Sequence, residues 1–143
     1  MEFRAIKESD FESCAKSLIE TFSEEPWNER WTLQQAFERI DELMASRMSR
    51  GFVVIENNEA VGMCVGRIMT YMDFKELWVD EFSINPKVQG QGMGSKLIEY
   101  VKTEIAKENV NNMALTTERG YPAVKFYEKN GFKVKDSIIF MHN

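Results

Sequence analysis

The sequence has few of the residues on which many kinds of catalytic and metal site depend. Its 143 residues contain a single histidine, His142, and two cysteines, Cys14 and Cys64. A Ser-His-Asp triad needs a histidine inside the fold, and a structural zinc site needs several nitrogen or sulfur ligands, so we expect neither. Both cysteines fall in apolar patterns, which predicts reduced core residues and no disulfide. We also expect no bound metal ion.

Long apolar runs and an excess of positive charge are missing as well. No stretch approaches the roughly 20 apolar residues that span a bilayer, and the first residues, 1–4, lack the apolar segment of a signal peptide. We therefore expect a cytoplasmic protein without a membrane partner. The formal net charge of −5 argues against nucleic acid as a partner and favours a cationic one.

The sequence predicts one folded unit, because its composition does not change along its length. With 43% apolar residues it can bury one core, which predicts a single domain over residues 1–143. Strand-like patterns alternate with stretches in which apolar residues recur every three or four positions. The fold class expected is α+β, with a central mixed, mostly antiparallel sheet of six to seven strands and helices on both faces. The expected strands are 2–6, 52–55, 60–68, 74–84, 113–117 and 133–141.

The most informative stretch runs from residue 79 to residue 106. A strand-like segment stops at Asn85 and Pro86, because proline lacks an N–H for the strand ladder. Gly90, Gly92 and Gly94 follow at alternate positions, and an amphipathic helix comes after them. A turn of small residues leaves its backbone N–H groups unshielded, and the first turn of a helix has no internal acceptors for its own. Such a place binds anions, and phosphates above all.

Two known phosphate-binding patterns do not fit this turn. A Rossmann turn requires G-x-G-x-x-G, but Ser95 occupies the position of the third glycine. A Walker loop requires Gly-Lys-Ser/Thr, whereas the order here is Gly94-Ser95-Lys96. The segment Gln89-x-x-Gly92-x-Gly94 instead resembles the Q/R-x-x-G-x-G/A signature of the GNAT superfamily of acyl-CoA-dependent N-acetyltransferases.

Two further segments resemble the same family. Residues 81–86, Glu-Phe-Ser-Ile-Asn-Pro, are similar to its fourth strand, and residues 126–132, Phe-Tyr-Glu-Lys-Asn-Gly-Phe, are similar to its F-Y-x-x-x-G-F segment. The distinctive segments occur in the family's order, and the order of elements agrees over nearly the whole chain. The resemblance implies a GNAT-type fold and an acetyltransferase activity. Many members form dimers, so a homodimer is one possibility.

The resemblance also implies acetyl-CoA as co-substrate. In this family the fourth and fifth strands separate and the pantetheine arm lies in the gap, which here would open between residues 82–85 and 113–117. One departure concerns Gly120, which stands where the family often has an asparagine that contacts pantetheine; Thr117 or Glu118 would have to replace that contact. The residues expected to bind the cofactor are Phe82, Ser83, Ile84, Gln89, Gly90, Gln91, Gly92, Met93, Gly94 and Ser95.

Three residues are the candidates for catalysis. By resemblance, Tyr127 would return a proton to the departing thiolate, and reference pKa values of about 10 for tyrosine and 8.5 for a thiol make this transfer feasible. Glu81 or Asp80 would take a proton from the amine, with Glu76 as a further option and water as an alternative. Adjacent strand residues point to opposite faces, so only one of Asp80 and Glu81 is expected to face the cleft. Because no histidine can activate a cysteine, we expect direct transfer without a covalent acyl-enzyme.

The segment from residue 24 to residue 31 is the expected contact with the acceptor. Trp27, Trp31 and Glu29 belong to a run of acids and large aromatics, and by resemblance this loop overhangs the acceptor site. Aromatic faces and carboxylates together suit a cation, so a small, cationic primary amine is expected, with a peptide amine as another candidate. The tryptophans could equally fix the loop to the core. The alternative function is a non-catalytic acyl-CoA-binding or sensor module of the same fold.

Overall fold

The computed structural model describes all 143 residues of the chain. Five strands and four α-helices follow one another along the chain, and two short 3₁₀ helices precede α1 and α3. In chain order the elements are β1 (Glu2–Ala5), α1 (Phe11–Phe22), α2 (Leu33–Leu43), β2 (Ser49–Glu56), β3 (Glu59–Tyr71), β4 (Phe74–Ile84), α3 (Met93–Ala106), β5 (Asn112–Ala114) and α4 (Pro122–Lys129).

The strands form one sheet in which spatial order follows chain order, from β1 to β5. The first four strands pair antiparallel, and β5 runs parallel to β4 because α3 carries the chain back across the sheet. Asn57 and Asn58, with φ of 51° and 63°, form the tight turn between β2 and β3. The prediction of a mixed, mostly antiparallel sheet is therefore confirmed.

Helices cover both faces of the sheet. Val53 and Val54 are neighbours in β2, yet Val53 packs in one apolar cluster with α1 and α2, and Val54 packs in the other with α3. Alternation along a strand produces this division, since successive side chains point to opposite faces. A capping box of Thr32 and Gln35 is present at the start of α2. None of the helices combines the length and apolar character needed to cross a bilayer.

The expected number of strands was wrong, because the sheet has five strands and not six to seven. The predicted closing strands at 133–141 do not form: residues 133–143 contain no strand. The apolar side chains of this segment are largely exposed, from 55% for Val134 to 79% for Phe140 and Met141. Strand formation has to offset the conformational entropy of ordering the segment, and here no burial of side chains contributes to that.

The pairing of β4 with β5 is short. It runs from Glu76 opposite Asn112 to Trp78 opposite Ala114 and then stops. From Val79 to Ile84, β4 continues along β3 with no strand on its other side. The two parallel strands therefore leave an opening at the end where the glycine turn begins.

Candidate active site

The turn before α3 presents unpaired backbone donors. Gly90 and Gly92 have φ of 79° and 71°, a left-handed conformation that glycine adopts without strain. Gly92 is the N-cap of α3 and no side chain caps the helix. The N–H groups of Gly92, Met93, Gly94 and Ser95 have no acceptor within the chain, and the first bond of the helix runs from the N–H of Lys96 to the carbonyl of Gly92. Space around Gly90 and Gly92 is open to 4 Å.

Side-chain hydrogen bonds hold this turn against the end of β4. The Gln89 amide donates to the carbonyl of Ile84 at 2.8 Å. The buried Asn85 amide donates to Glu20 on α1 at 2.9 Å and to the Ser17 hydroxyl at 3.2 Å. Its carbonyl oxygen accepts from the N–H of Lys87 at 3.0 Å. The turn is thus fixed in place, and Gln89, predicted to bind the cofactor, helps to shape the turn with its own amide.

The two distinctive sequence segments meet in space. A Cβ built on Gly94 would lie 2.7 Å from Cζ and 2.9 Å from Cε1 of Phe126 on α4. The glycine therefore allows α3 to approach the aromatic ring closely. The Phe126 ring in turn lies 5.7 Å from Phe82 on β4, centroid to centroid. Gly94 has a packing role in addition to its place in the turn.

Tyr127 lies in an aromatic cluster beside the opening between β4 and β5. Its ring centroid is 5.2 Å from Phe126, 5.5 Å from Phe132 and 5.9 Å from Phe82. Burial raises the pKa of the Tyr127 phenol well above its usual range, and the nearby Cys64 and Glu81 raise the pKa further. The phenol is therefore protonated near neutral pH and can donate a hydrogen bond, although the raised pKa makes it a weaker proton donor than a tyrosine in water.

A β-bulge in β4 changes the arrangement of the two candidate carboxylates. Glu81 pairs with Val65 and Val79 pairs with Gly66, so Asp80 is an extra residue without a partner. Strict alternation would send Asp80 and Glu81 to opposite faces, and that expectation was wrong. The bulge instead places the Asp80 and Glu81 side chains on the same face of the sheet.

Both carboxylates are bound by arginines on that face. Asp80 accepts two hydrogen bonds from Arg67 on β3, at 2.8 and 2.9 Å. Glu81 accepts one from Nε of Arg39 on α2, at 3.1 Å. Burial raises the pKa of Glu81, Arg39 opposes this, and the charges of Glu29 and Asp80 add to the increase. Of the two carboxylates, Glu81 is the one held by a single bond and has an oxygen free for another partner.

The loop between α1 and α2 is attached to the site by its aromatic residues. Trp27 contacts Phe22 on α1 at 5.4 Å and Tyr121, the N-cap of α4, at 4.9 Å between ring centroids. The indole N–H of Trp31 donates to Glu29 at 2.7 Å. A cavity of about 230 Å³ lies under the loop, and its lining includes Glu24, Glu25, Trp27, Gln89 and Pro122. Trp27 thus fixes the loop and also forms a wall of the cavity.

The cysteines are free and fully buried, as the sequence predicted. Burial raises the pKa of the Cys14 and Cys64 thiols to about 12, so neither is ionised near neutral pH. A covalent acyl-enzyme on either sulfur has no support in this geometry. The structure contains no group of three or more histidine, cysteine, aspartate or glutamate side chains that could hold a metal ion.

Sequence reasoning missed both arginines. Arg67 could have been inferred as a cross-strand partner, since it interrupts the apolar run of β3 close to Asp80. Arg39 gave no such signal, because it lies 42 residues from Glu81. The Ser83 hydroxyl, on a residue predicted to bind the cofactor, is buried without a hydrogen-bond partner. Glu76, the further candidate base, instead accepts a bond from the Trp78 indole at 3.1 Å.

Comparisons with known proteins find solved structures of the same fold. The chain superimposes on a possible acetyltransferase from Clostridium difficile 630 with a TM-score of 0.83 and 18% identity, covering 99% of this chain and 96% of the other. A transcriptional regulator from Bacillus halodurans C-125 gives a TM-score of 0.78 and 22% identity, covering 99% of both chains. An aminoglycoside 6'-N-acetyltransferase from Acinetobacter haemolyticus gives 0.77 and 11%, covering 100% of this chain and 98% of the other.

These identities are low, so the superpositions establish the fold alone. A search of curated protein sequences found no significant match. The profile of the acetyltransferase (GNAT) family matches residues 11–132, a span that begins at α1 and ends after α4. The chain belongs to the GNAT acetyltransferase family.

Proposed function

We propose that the protein transfers an acetyl group from acetyl-CoA directly to a primary amine of a small, cationic acceptor. The observation that carries the proposal is the set of unpaired N–H groups from Gly92 to Ser95. They lie at the positive end of the α3 dipole, next to the open space around Gly90 and Gly92, where they can donate to the pyrophosphate of coenzyme A.

The opening beside β4 suits the rest of the donor. Because no strand pairs with β4 from Val79 to Ile84, its outer backbone groups are available to the amides of pantetheine, except for the Ile84 carbonyl, which accepts from Gln89. Phe82 and Tyr127 lie beside this opening and provide apolar surface. The buried Ser83 hydroxyl lacks a partner, and a bound water molecule or substrate group would supply one.

The proposed chemistry assigns one proton transfer to each of two side chains. The acceptor arrives as an ammonium ion, and the Glu81 carboxylate takes its proton, directly or through water. The neutral amine nitrogen then forms a bond to the thioester carbonyl carbon, and the bond from that carbon to sulfur breaks. The Tyr127 phenol protonates the departing sulfur, and the phenolate is reprotonated, directly or through water, by the proton that the acylated nitrogen loses as it becomes the amide.

The charges around the loop between α1 and α2 favour a cationic acceptor. Glu24 and Glu25 line the cavity, and Glu29 lies near Glu81. Indole faces attract cations by roughly 0.5–2 kcal/mol, depending on how dry the site is. Arg39 and Arg67 offset part of the negative charge, but each is already bound to a carboxylate. The similarity to an aminoglycoside acetyltransferase fits this substrate class.

The decisive experiment is a panel of amines assayed for release of free thiol from acetyl-CoA. Binding of acetyl-CoA is measured in parallel as an increase in melting temperature. Gln91→Glu adds a negative charge beside the proposed pyrophosphate site and should weaken acetyl-CoA binding. Asn111→Asp adds the same charge directly before β5, at the end of that strand away from the opening, and is the matched control. Failure of acetyl-CoA at millimolar concentration to stabilise the wild-type protein would refute the proposal.

The acceptor class has its own test. Polycationic amines should react with higher kcat/KM than neutral or acidic amines, and added salt should raise their KM. Glu29→Gln should raise KM for polycations without changing acetyl-CoA binding, whereas Glu59→Gln in the β2–β3 hairpin should change neither. An anionic acceptor as the best substrate would overturn the assignment.

The alternative is a sensor that binds acetyl-CoA without turnover. The similarity in fold to a transcriptional regulator keeps this alternative open. It predicts stabilisation by acetyl-CoA with no thiol release for any amine in the panel. The free oxygen of Glu81 and the donor at Tyr127 favour the enzyme.

A further inference from the structure

A single ion pair joins α2 to the candidate base. Arg39 lies within α2, and its Nε donates to Oε1 of Glu81 on β4 at 3.1 Å. The Glu81 side chain is 13% exposed, and the Arg39 side chain is 38% exposed. The pair therefore lies at the border between protein and solvent, with the carboxylate on the protein side.

The charged and titratable groups around Glu81 come from several elements. Asp80 is the preceding residue of the same strand, and Glu29 approaches from the loop before α2. The Tyr127 phenol approaches from α4. Arg67, on β3, is bound to Asp80 through both carboxylate oxygens. Arg39 is thus the cation that bonds to Glu81 itself.

We propose that Arg39 is a positioning residue, whose guanidinium holds the Glu81 carboxylate in the ionised form that takes a proton from the acceptor amine. The inference rests on the proposed function, because it gives Glu81 the role of base. The guanidinium occupies Oε1 only, so Oε2 remains free for the amine or for a bridging water molecule. Arg39 does not touch the reacting atoms in this arrangement.

The physical need for such a residue follows from the surroundings of Glu81. Burial and two neighbouring carboxylates favour the protonated form, which cannot accept a proton. A permanently charged guanidinium opposes these effects, and arginine remains charged at every pH that an enzyme assay uses. Removing this charge should therefore raise the pKa of Glu81 and should restrict activity to higher pH.

The first measurement follows the carboxyl group directly and needs no turnover. Protein labelled with ¹³C at the glutamate carboxyl carbon is titrated by NMR, and the Glu81 signal is assigned by its loss in Glu81→Gln. We expect Arg39→Gln to move this titration to higher pH. Arg50→Gln is the control, because Arg50 also pairs with a glutamate, Glu108, through two hydrogen bonds, and neither residue belongs to the site. An unchanged Glu81 titration in a folded Arg39→Gln protein would overturn the proposal.

The second measurement follows activity against pH. The acid limb of kcat/KM should move to higher pH in Arg39→Gln, so that activity is lost near neutral pH and recovered in alkaline buffer. Below the limb, kcat/KM should fall about tenfold per pH unit. Arg39→Lys retains the charge, so the acid limb of its kcat/KM should lie close to that of the wild type. This variant also tests the role of the charge if Arg39→Gln folds poorly. Equal limbs in wild type, Arg39→Gln and Arg39→Lys would overturn the proposal.

The two measurements separate failure of the inference from failure of the proposed function. If the Glu81 titration shifts as expected but no amine is acetylated, the effect of Arg39 on the ionisation of Glu81 is confirmed. The assignment of the protein as an acetyltransferase of amines then fails. If amines are acetylated and neither the titration nor the pH limb moves, the enzyme assignment holds and the role of Arg39 fails.

Discussion

The contact between Gly94 and Phe126 gives the sharpest prediction. In Gly94→Ala the new Cβ would lie 2.7 Å from Cζ of Phe126, closer than carbon atoms approach each other in proteins. The ring cannot turn aside freely, because Phe82 and Tyr127 pack against it. Overpacking of this kind costs about 1–3 kcal/mol, while replacing glycine by alanine within a helix contributes about 0.5–1 kcal/mol in favour of folding.

The overpacking cost exceeds the gain in helix propensity, so Gly94→Ala should destabilise by up to about 2 kcal/mol. For a domain of this size this corresponds to a decrease in melting temperature of up to about 8 °C. The assay is a double-mutant cycle with Phe126→Leu, followed by urea unfolding. The smaller leucine should remove the clash, so the two substitutions together should cost less than the sum of their separate costs.

Acetyl-CoA affinity provides a second measure for the same cycle. Gly94→Ala should push the first turn of α3 away from α4, which displaces the unpaired N–H groups and weakens acetyl-CoA binding. Phe126→Leu in the same chain should recover part of that affinity. If the effects of the two substitutions add within about 0.5 kcal/mol, the reasoning is refuted. The two positions would then be energetically independent in spite of their contact.

Three further predictions concern single side chains. Tyr127→Phe keeps the packing and removes the proton donor, so kcat should fall by about 10²- to 10⁴-fold with acetyl-CoA binding unchanged, and an unchanged kcat under conditions where chemistry limits the rate would contradict the role. Arg4 and the N–H of Lys7 lower the pKa of Asp10, so the stabilisation by the Asp10 carboxylate is present above about pH 4 and is lost as the pH falls through the lowered pKa. Asp10→Asn should therefore reduce the free energy of unfolding at pH 7 by about 1.5–3 kcal/mol, and this difference from wild type should shrink in urea titrations at lower pH. Cys64 is fully buried with a raised pKa, so iodoacetamide should not modify it in the native protein without denaturant.

The glycine turn could be predicted from sequence because its information is local. Pro86 stops a strand, Gly90 and Gly92 need left-handed backbone, and the helix pattern after them is amphipathic. Each of these features follows from a few neighbouring residues. The placement of Tyr127 near the opening beside β4 came from resemblance to the family, since nothing local in the sequence relates residue 127 to residue 82.

The features that were missed depend on packing between distant segments. The bulge at Asp80 is fixed by the register of β4 against β3, and it decides which way two carboxylates point. The bond from Arg39 to Glu81 depends on how α2 lies across the sheet. The segment 133–141 has residues that favour strands, such as Ile138 and Ile139, but a strand also needs a neighbour, and local preference does not supply one.

The short pairing between β4 and β5 has a consequence for the protein when it is empty. Past Trp78, alternate amides of β4 point into the opening and should exchange with deuterium quickly, while those bonded to β3 should exchange only as the sheet opens. A free strand edge of this kind also offers a template for pairing with another chain. The empty protein should therefore tolerate storage and concentration less well than the protein saturated with a ligand that occupies this edge.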